Sequence, residues 1–167
     1  MDVKKSTDAP REVDVASDSH FMGEALRQAR KAWTQEEVPV GAVIVRAGEI
    51  VARAHNQVET LKDATAHAEM LAITQAENAV NDWRLIDCDL YVTKEPCPMC
   101  AGAIVLARLR RVIFGCPDPR SGGAGGRINL LQMEGFNHQC WIVSGVRAPE
   151  CGAILKEFFA HRRAEDA

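Results

Sequence analysis

Apolar residues recur along the chain with two different periods. Phe21, Met22, Ala25, Leu26, Ala29 and Trp33 fall at helical spacing, which predicts a helix from Ser19 that Pro39 separates from the next element. Val40 to Val45 is a β-branched run, Ala47-Gly48-Glu49 reads as a turn, and Ile50 to His55 is a second run, so the three predict a hairpin. Asn56 to Asp63 is polar and irregular. Met70, Leu71, Ile73 and Ala76 then mark a helix that Thr65 would cap. Leu90 to Thr93 and Val112 to Phe114 are short strands flanking a helix from Pro96 to Ala107, where proline suits a first turn. Residues 115–126 form a loop rich in Gly and Pro, and Leu130 to Met133 is assigned a short helix. Trp141 to Val143 is a fifth strand, and Ile154 to Arg163 closes the chain as a helix. Strands alternating with helices imply an α/β sandwich with a largely buried central sheet.

Composition sharpens the boundaries. A length of 167 residues, 47% hydrophobic and 26% charged, suits one domain with its own core. Residues 1–18 are polar and unpatterned and are expected to be a disordered tail, with the folded domain at 19–163 and a short tail at 164–167. No apolar stretch is long enough to span a membrane, and Met1 to Ser19 contains no apolar segment of the kind a secretory signal carries. The expected location is the cytoplasm, where the six cysteines would be reduced thiols or metal ligands. The net charge of −3 hides an asymmetry. Residues 84–130 carry 7 Lys/Arg against 4 Asp/Glu, whereas residues 1–83 carry 9 against 14. A local positive field suits a polyanion, although a solvated face accounts for the charge equally well.

The basic third also contains the chemistry. In Cys97-Pro98-Met99-Cys100 two thiols stand three residues apart at a predicted helix start, where they share a face and where the helix N-terminus favours thiolate. One C-x-x-C alone leaves zinc, a redox pair and core cysteines open. His67-Ala68-Glu69, 30 residues upstream, also sits in a predicted first turn. Histidine and two thiolates make three ligands, which suits zinc and leaves a fourth tetrahedral position for water. Glu69 lies two residues from His67, so on a regular helix it would not be a fourth ligand. It reaches the water if the helix starts at the site, and there it can move protons. His-x-Glu followed by Pro-Cys-x-x-Cys is the established signature of the zinc nucleobase deaminases. Cys88, Cys116, Cys140 and Cys151 have no ligand spacing and are expected to be small buried residues.

Beyond this signature, the words Glu37-Val38-Pro39-Val40-Gly41-Ala42-Val43, Trp83-Arg84-Leu85-Ile86-Asp87, Leu90-Tyr91-Val92-Thr93, Glu95-Pro96-Cys97, Arg111-Val112-Ile113-Phe114-Gly115, Glu134-Gly135-Phe136-Asn137-His138 and Phe158 to Arg163 resemble the bacterial tRNA-specific adenosine deaminases of the cytidine deaminase-like superfamily. The resemblance covers roughly residues 20–163. It implies a three-layer α/β/α sandwich with a five-stranded mixed sheet, one zinc ion per subunit, and a homodimer. The implied activity is hydrolysis of adenosine to inosine at the wobble position of a tRNA anticodon, with release of ammonia. Metal-activated water would be the nucleophile and Glu69 the proton shuttle. The implied substrate is the anticodon stem-loop, with tRNA-Arg carrying ACG as the first to test.

On the same resemblance, Asn56 matches the asparagine that hydrogen-bonds the target base, and an amide offers a purine edge both a donor and an acceptor. Val38 and Pro39 match residues lining the base pocket, and Asp118 falls in the loop that meets the neighbouring ribose. Arg120, Arg127, Arg162 and Arg163 are candidates for phosphate contact. Lys94 stands where the family usually has leucine; it is either a further phosphate contact or a sign of a shifted substrate. Pro117 and Pro119 stiffen the loop around Asp118. The run Gly122 to Gly126 lacks the ending of a P-loop. Other readings are a deaminase of free guanine or cytosine, a zinc-binding subunit without turnover, and a redox C-x-x-C protein.

Overall fold

The computed structural model describes residues 15–167. Its elements run α1 (Val15–Thr34), β1 (Gly41–Arg46), β2 (Glu49–His55), α2 (Val58–Leu61), α3 (Ala68–Val80), β3 (Cys88–Lys94), α4 (Pro98–Leu106), β4 (Arg111–Cys116), β5 (Trp141–Ser144) and α5 (Ala148–Glu165). The hairpin β1–β2 turns on Ala47 and Gly48, both at positive φ as a two-residue type I′ connection requires. The sheet order is β2-β1-β3-β4-β5. β1 is antiparallel to β2 and β3, while β3, β4 and β5 are parallel, so the five-stranded sheet is mixed as expected.

Strand alternation divides the core in two. Ala42 and Ile44 of β1, Leu90 and Val92 of β3, and Val112 and Phe114 of β4 face α3 and α4, where Ala72, Ile73, Ala101 and Ile104 cover them. Val43, Val45, Tyr91 and Ile113 face the other way, under Met22, Ala25 and Leu26 of α1 and Cys151 of α5. These two packed faces make the three-layer α/β/α sandwich. Among the described residues no helix is long and apolar enough to cross a membrane.

Several boundaries differ from the sequence reading. Helix α1 begins at Val15 rather than Ser19, and Asp18, assigned to the tail, is 1% exposed. The Tyr91 hydroxyl donates to Asp18 at 2.6 Å, and the Arg111 guanidinium pairs with it at 3.0 Å. A carboxylate held this way belongs to the fold, and hydropathy along the chain does not register partners so distant in sequence. The rest of the expected tail, residues 1–14, lies outside the described residues. At the other end α5 starts at Ala148 and reaches Glu165, so part of the expected 164–167 tail is helical. Leu130 to Met133 is not a helix. Leu131 is buried there, and its carbonyl accepts the Cys140 amide at 2.9 Å, which ties the segment to the entry of β5. The short α2 falls in the stretch read as irregular, and α3 runs on to Val80.

Candidate metal centre and active site

The N-termini of α3 and α4 meet at the edge of the sheet where β3 and β4 end, the edge at which open α/β sheets place their ligands. His67 is the N-cap of α3 and Cys97 the N-cap of α4, both in extended conformation. The sequence had pointed to Thr65 and Pro96 for these starts. The observed caps explain the site better, because a capping residue turns its side chain off the helix end. His67 Nδ1 lies 3.6 Å from Cys97 Sγ and 3.5 Å from Cys100 Sγ, and the three donor atoms lie within 4.8 Å of one another. With zinc–nitrogen bonds near 2.0 Å and zinc–sulfur bonds near 2.3 Å, a tetrahedral ion has nitrogen-to-sulfur edges of roughly 3.5 Å. The donor set and its spacing therefore fit zinc.

The electrostatics favour a thiolate at Cys97. The hydrogen bond from the Cys100 thiol, followed by that from His67, pushes the Cys97 thiol down to about 3 against the effect of burial. Cys100 is pushed up, first by Cys97 and then by burial. Glu69 is in the first turn of α3 and is 4% exposed. Burial raises its carboxyl above the ordinary range. A carboxyl shifted upward in this way is suited to giving and taking protons. Because α3 starts at the site, a ligand at its cap and a carboxyl in its first turn both reach one cavity.

That cavity has a volume of about 340 Å³ and includes Val38, Val40, Asn56, Glu69, Lys94 and Phe159 in its lining. Pro39 is not part of the lining. It is buried between the two valines in a tight turn closed by the Val40 amide on the Val38 carbonyl at 2.8 Å, so it shapes the wall from behind. Asn56 is 8% exposed, and its backbone N–H donates to the Val40 carbonyl at 3.0 Å.

Asp118 also stands back from the cavity. Its carboxylate accepts the Lys94 ammonium at 2.6 Å and the amides of Arg120 and Ser121. Burial opposes these contacts, but together they hold its carboxyl below the usual range. Lys94 thus lines the cavity already paired. Arg120, Arg127 and Arg163 are exposed, while Arg162 donates to the Glu36 carbonyl at 2.8 Å and lies over the Phe158 ring. Of the other cysteines, Cys88, Cys140 and Cys151 are buried, Cys116 is half-buried, and all are free thiols.

Two carboxylates escaped the sequence reading. Glu37 is fully buried and accepts the amides of Glu59 and Thr60, which seats α2 against the cavity. Glu95 is 2% exposed and accepts the amides of Asp118, Ala124 and Gly126. The available signal was an acidic residue one or two places before a proline: Glu37-Val38-Pro39 and Glu95-Pro96.

A helix-flanked mixed sheet presenting His-x-Glu and Pro-Cys-x-x-Cys from two helix starts defines a metal-dependent nucleobase deaminase. A model of the MafB19-like deaminase family matches residues 16–163. The tRNA-specific adenosine deaminase of Bacillus subtilis is 53% identical over 149 residues, covering 89% of this chain and 92% of that protein. A solved structure from work on A-to-I editing by tRNA:A34 deaminases superimposes with a TM-score of 0.79 at 42% identity, covering 82% of this chain and 99% of the other. A guanine deaminase from Nitrosomonas europaea shares the fold, with a TM-score of 0.74 at 22% identity over 85% of this chain and 84% of its own. The chain belongs to the MafB19-like deaminases and, within them, to the tRNA-specific adenosine deaminases of the cytidine deaminase-like superfamily.

Proposed function

We propose that this enzyme converts adenosine to inosine at the wobble position of a tRNA anticodon, using one zinc ion held by His67, Cys97 and Cys100. The observation that carries the reading is Glu69, buried in the wall of a cavity that His67 and Cys97 also line, with Cys100 within 4.8 Å of both. When bound, zinc supplies a water of lowered pKa as the nucleophile for C6 of adenine. Glu69 would carry one proton of the attacking water to the ring nitrogen and the second, from the hydroxyl left on C6, to the leaving amine, so that ammonia departs and the C6 oxygen remains. Asn56 offers its amide to the purine edge, and Val38 and Val40 pack against the ring, with Pro39 fixing their turn. Asp118 lies behind Lys94 at the neighbouring nucleotide, and Lys94, Arg120, Arg162 and Arg163 serve the phosphates. A cavity of about 340 Å³ lies in the range of small-ligand sites, and a loop base is already unpaired, so extruding it costs little.

The enzyme works as a homodimer in the cytoplasm. Support comes from α4, whose sequence Pro98-Met99-Cys100-Ala101-Gly102-Ala103-Ile104-Val105-Leu106 contains no charged residue. On its outer side Leu106 is 75% exposed, and Met99 and Gly102 are only partly covered within the chain. A helix apolar all round is normally buried, and a second copy would cover it.

The deciding experiment incubates zinc-loaded protein with tRNA-Arg bearing ACG, with its anticodon stem-loop, and with free guanine and cytosine. Inosine in the RNA with no turnover of free bases is expected. Turnover of a free base with none on RNA overturns the assignment.

A further inference from the structure

Glu95 immediately precedes Pro96 and the metal-ligand cap Cys97, and is tethered on both sides. Its own amide donates to the Cys116 carbonyl at 2.9 Å, at the end of β4. Its carboxylate, 2% exposed, takes the Asp118 amide at 2.7 Å on one oxygen and the amides of Ala124 at 3.1 Å and Gly126 at 2.7 Å on the other. The Gly123 amide adds a bond to the Pro96 carbonyl at 2.7 Å. The fit is close: a Cβ on Gly122 or on Gly126 would overlap the Glu95 carboxylate, so the glycines let the backbone wrap it. Among the described residues no cation bonds Glu95; amides satisfy it. A buried carboxylate used this way fixes backbone.

The segment it fixes carries Asp118. One Asp118 oxygen is held by the amides of Arg120 and Ser121, and the other receives the Lys94 ammonium at 2.6 Å. Lys94 lines the cavity and remains one-third exposed. An ammonium has three donors, and this contact uses one.

We propose that Glu95 is a positioning residue that locks the 118–126 segment beside the metal centre. Through Asp118 it aims the Lys94 ammonium at the cavity mouth, where its remaining donors meet a phosphodiester of the substrate. This rests on the RNA reading above. Glu95 acts on binding rather than chemistry, because its carboxylate bonds the backbone of the 118–126 segment and neither Glu69 nor a ligand side chain.

The test uses zinc-loaded full-length protein, an anticodon stem-loop RNA and four variants: Glu95→Gln, Lys94→Leu, their double, and Gly126→Ala. Lys94→Leu is expected to raise KM about tenfold, as loss of a charged hydrogen bond does, with kcat within about twofold. It also flattens the dependence of log KM on log salt by about 0.7, the share of one phosphate on a single strand. Glu95→Gln keeps Lys94 yet shows the same KM rise and the same flattening. It also speeds tryptic cleavage after Arg120 and Arg127, which are exposed within or beside the segment. The double variant is no worse in KM than either single one, because both act on one contact. Gly126→Ala, which leaves the carboxylate intact but displaces the backbone around it, repeats the Glu95→Gln pattern; should Glu95→Gln fail to fold, it takes that variant's place in the cycle.

Wild-type KM and tryptic rate in Glu95→Gln overturn the proposal. So do KM effects of Glu95→Gln and Lys94→Leu that multiply in the double variant, or a loss of zinc and kcat at unchanged KM. The tryptic comparison needs no substrate. If the protein converts no RNA, the functional reading fails while the clamp is still judged by cleavage.

Discussion

Glu69 shows how a single side chain takes its role from its surroundings. It is buried beside two thiols and an imidazole, and burial raises its carboxyl toward the protonated form. Glu69→Gln keeps the shape and removes the proton relay. Turnover is expected to fall by about 10²–10⁴, the usual span for a general acid–base group, with zinc content by elemental analysis unchanged. A variant that keeps turnover would remove Glu69 from the chemistry. Cys97→Ser probes the other half of the site. Serine is a far poorer zinc ligand than thiolate, so zinc content and turnover should fall together, and neither should return on adding excess magnesium. Both residues could be singled out in the sequence because the groups lie a few residues apart at helix starts, where spacing fixes direction. Glu95 was not, since its partners stand 23 to 31 residues downstream and are backbone amides, which have no residue type to recognise.

At the scale of elements, the strands and long helices followed from periodicity, and the errors fell where long-range polar contacts set the ends. Helix α1 gains its first turn from Asp18, which meets Arg111 and Tyr91 at the edge of the sheet opposite the cavity. Arg111 also pairs with Asp89 at 3.0 Å, and Asp89 binds Arg110 at 2.9 Å, so four charges close a network between α1, β3 and β4. Breaking a buried pair from one side leaves an uncompensated charge. Asp18→Ala is therefore expected to lower the unfolding free energy in urea by about 3 kcal/mol. The metal site, at the other end of β3, should keep its zinc and its KM at temperatures where the fold persists. A loss below about 0.5 kcal/mol would mean that the first turn of α1 contributes little, as a surface substitution would. The segment at 130–133 failed as a helix because Leu131 is drawn into the core with Leu130 packed beside it, while the Leu130 amide bonds the Gly-rich loop and the Leu131 carbonyl the approach to β5.

For the whole molecule, the remaining question is what covers α4. A short helix with no charged residue, packed through Ala101, Ala103, Ile104 and Val105, leaves Leu106 exposed and Met99 and Gly102 only partly covered. A Cβ added at Gly102 would meet nothing within the chain, so that face is flat and open. Trp83 and Ile86, at 52% and 62% exposed, add to the apolar surface. Such a surface on a lone chain is a liability in water, whereas against its own copy it becomes a core. Sedimentation equilibrium should accordingly give twice the 18.3 kDa of the chain. Leu106→Glu places two carboxylates into the proposed interface without touching the core of either chain. It should weaken association by roughly 100-fold, shifting the mass toward the single chain at micromolar concentration, while the circular dichroism and zinc content stay unchanged. A monomeric wild type, or a variant that dimerises as the wild type does, would free α4 from this role and leave its exposed face to the RNA or to another protein.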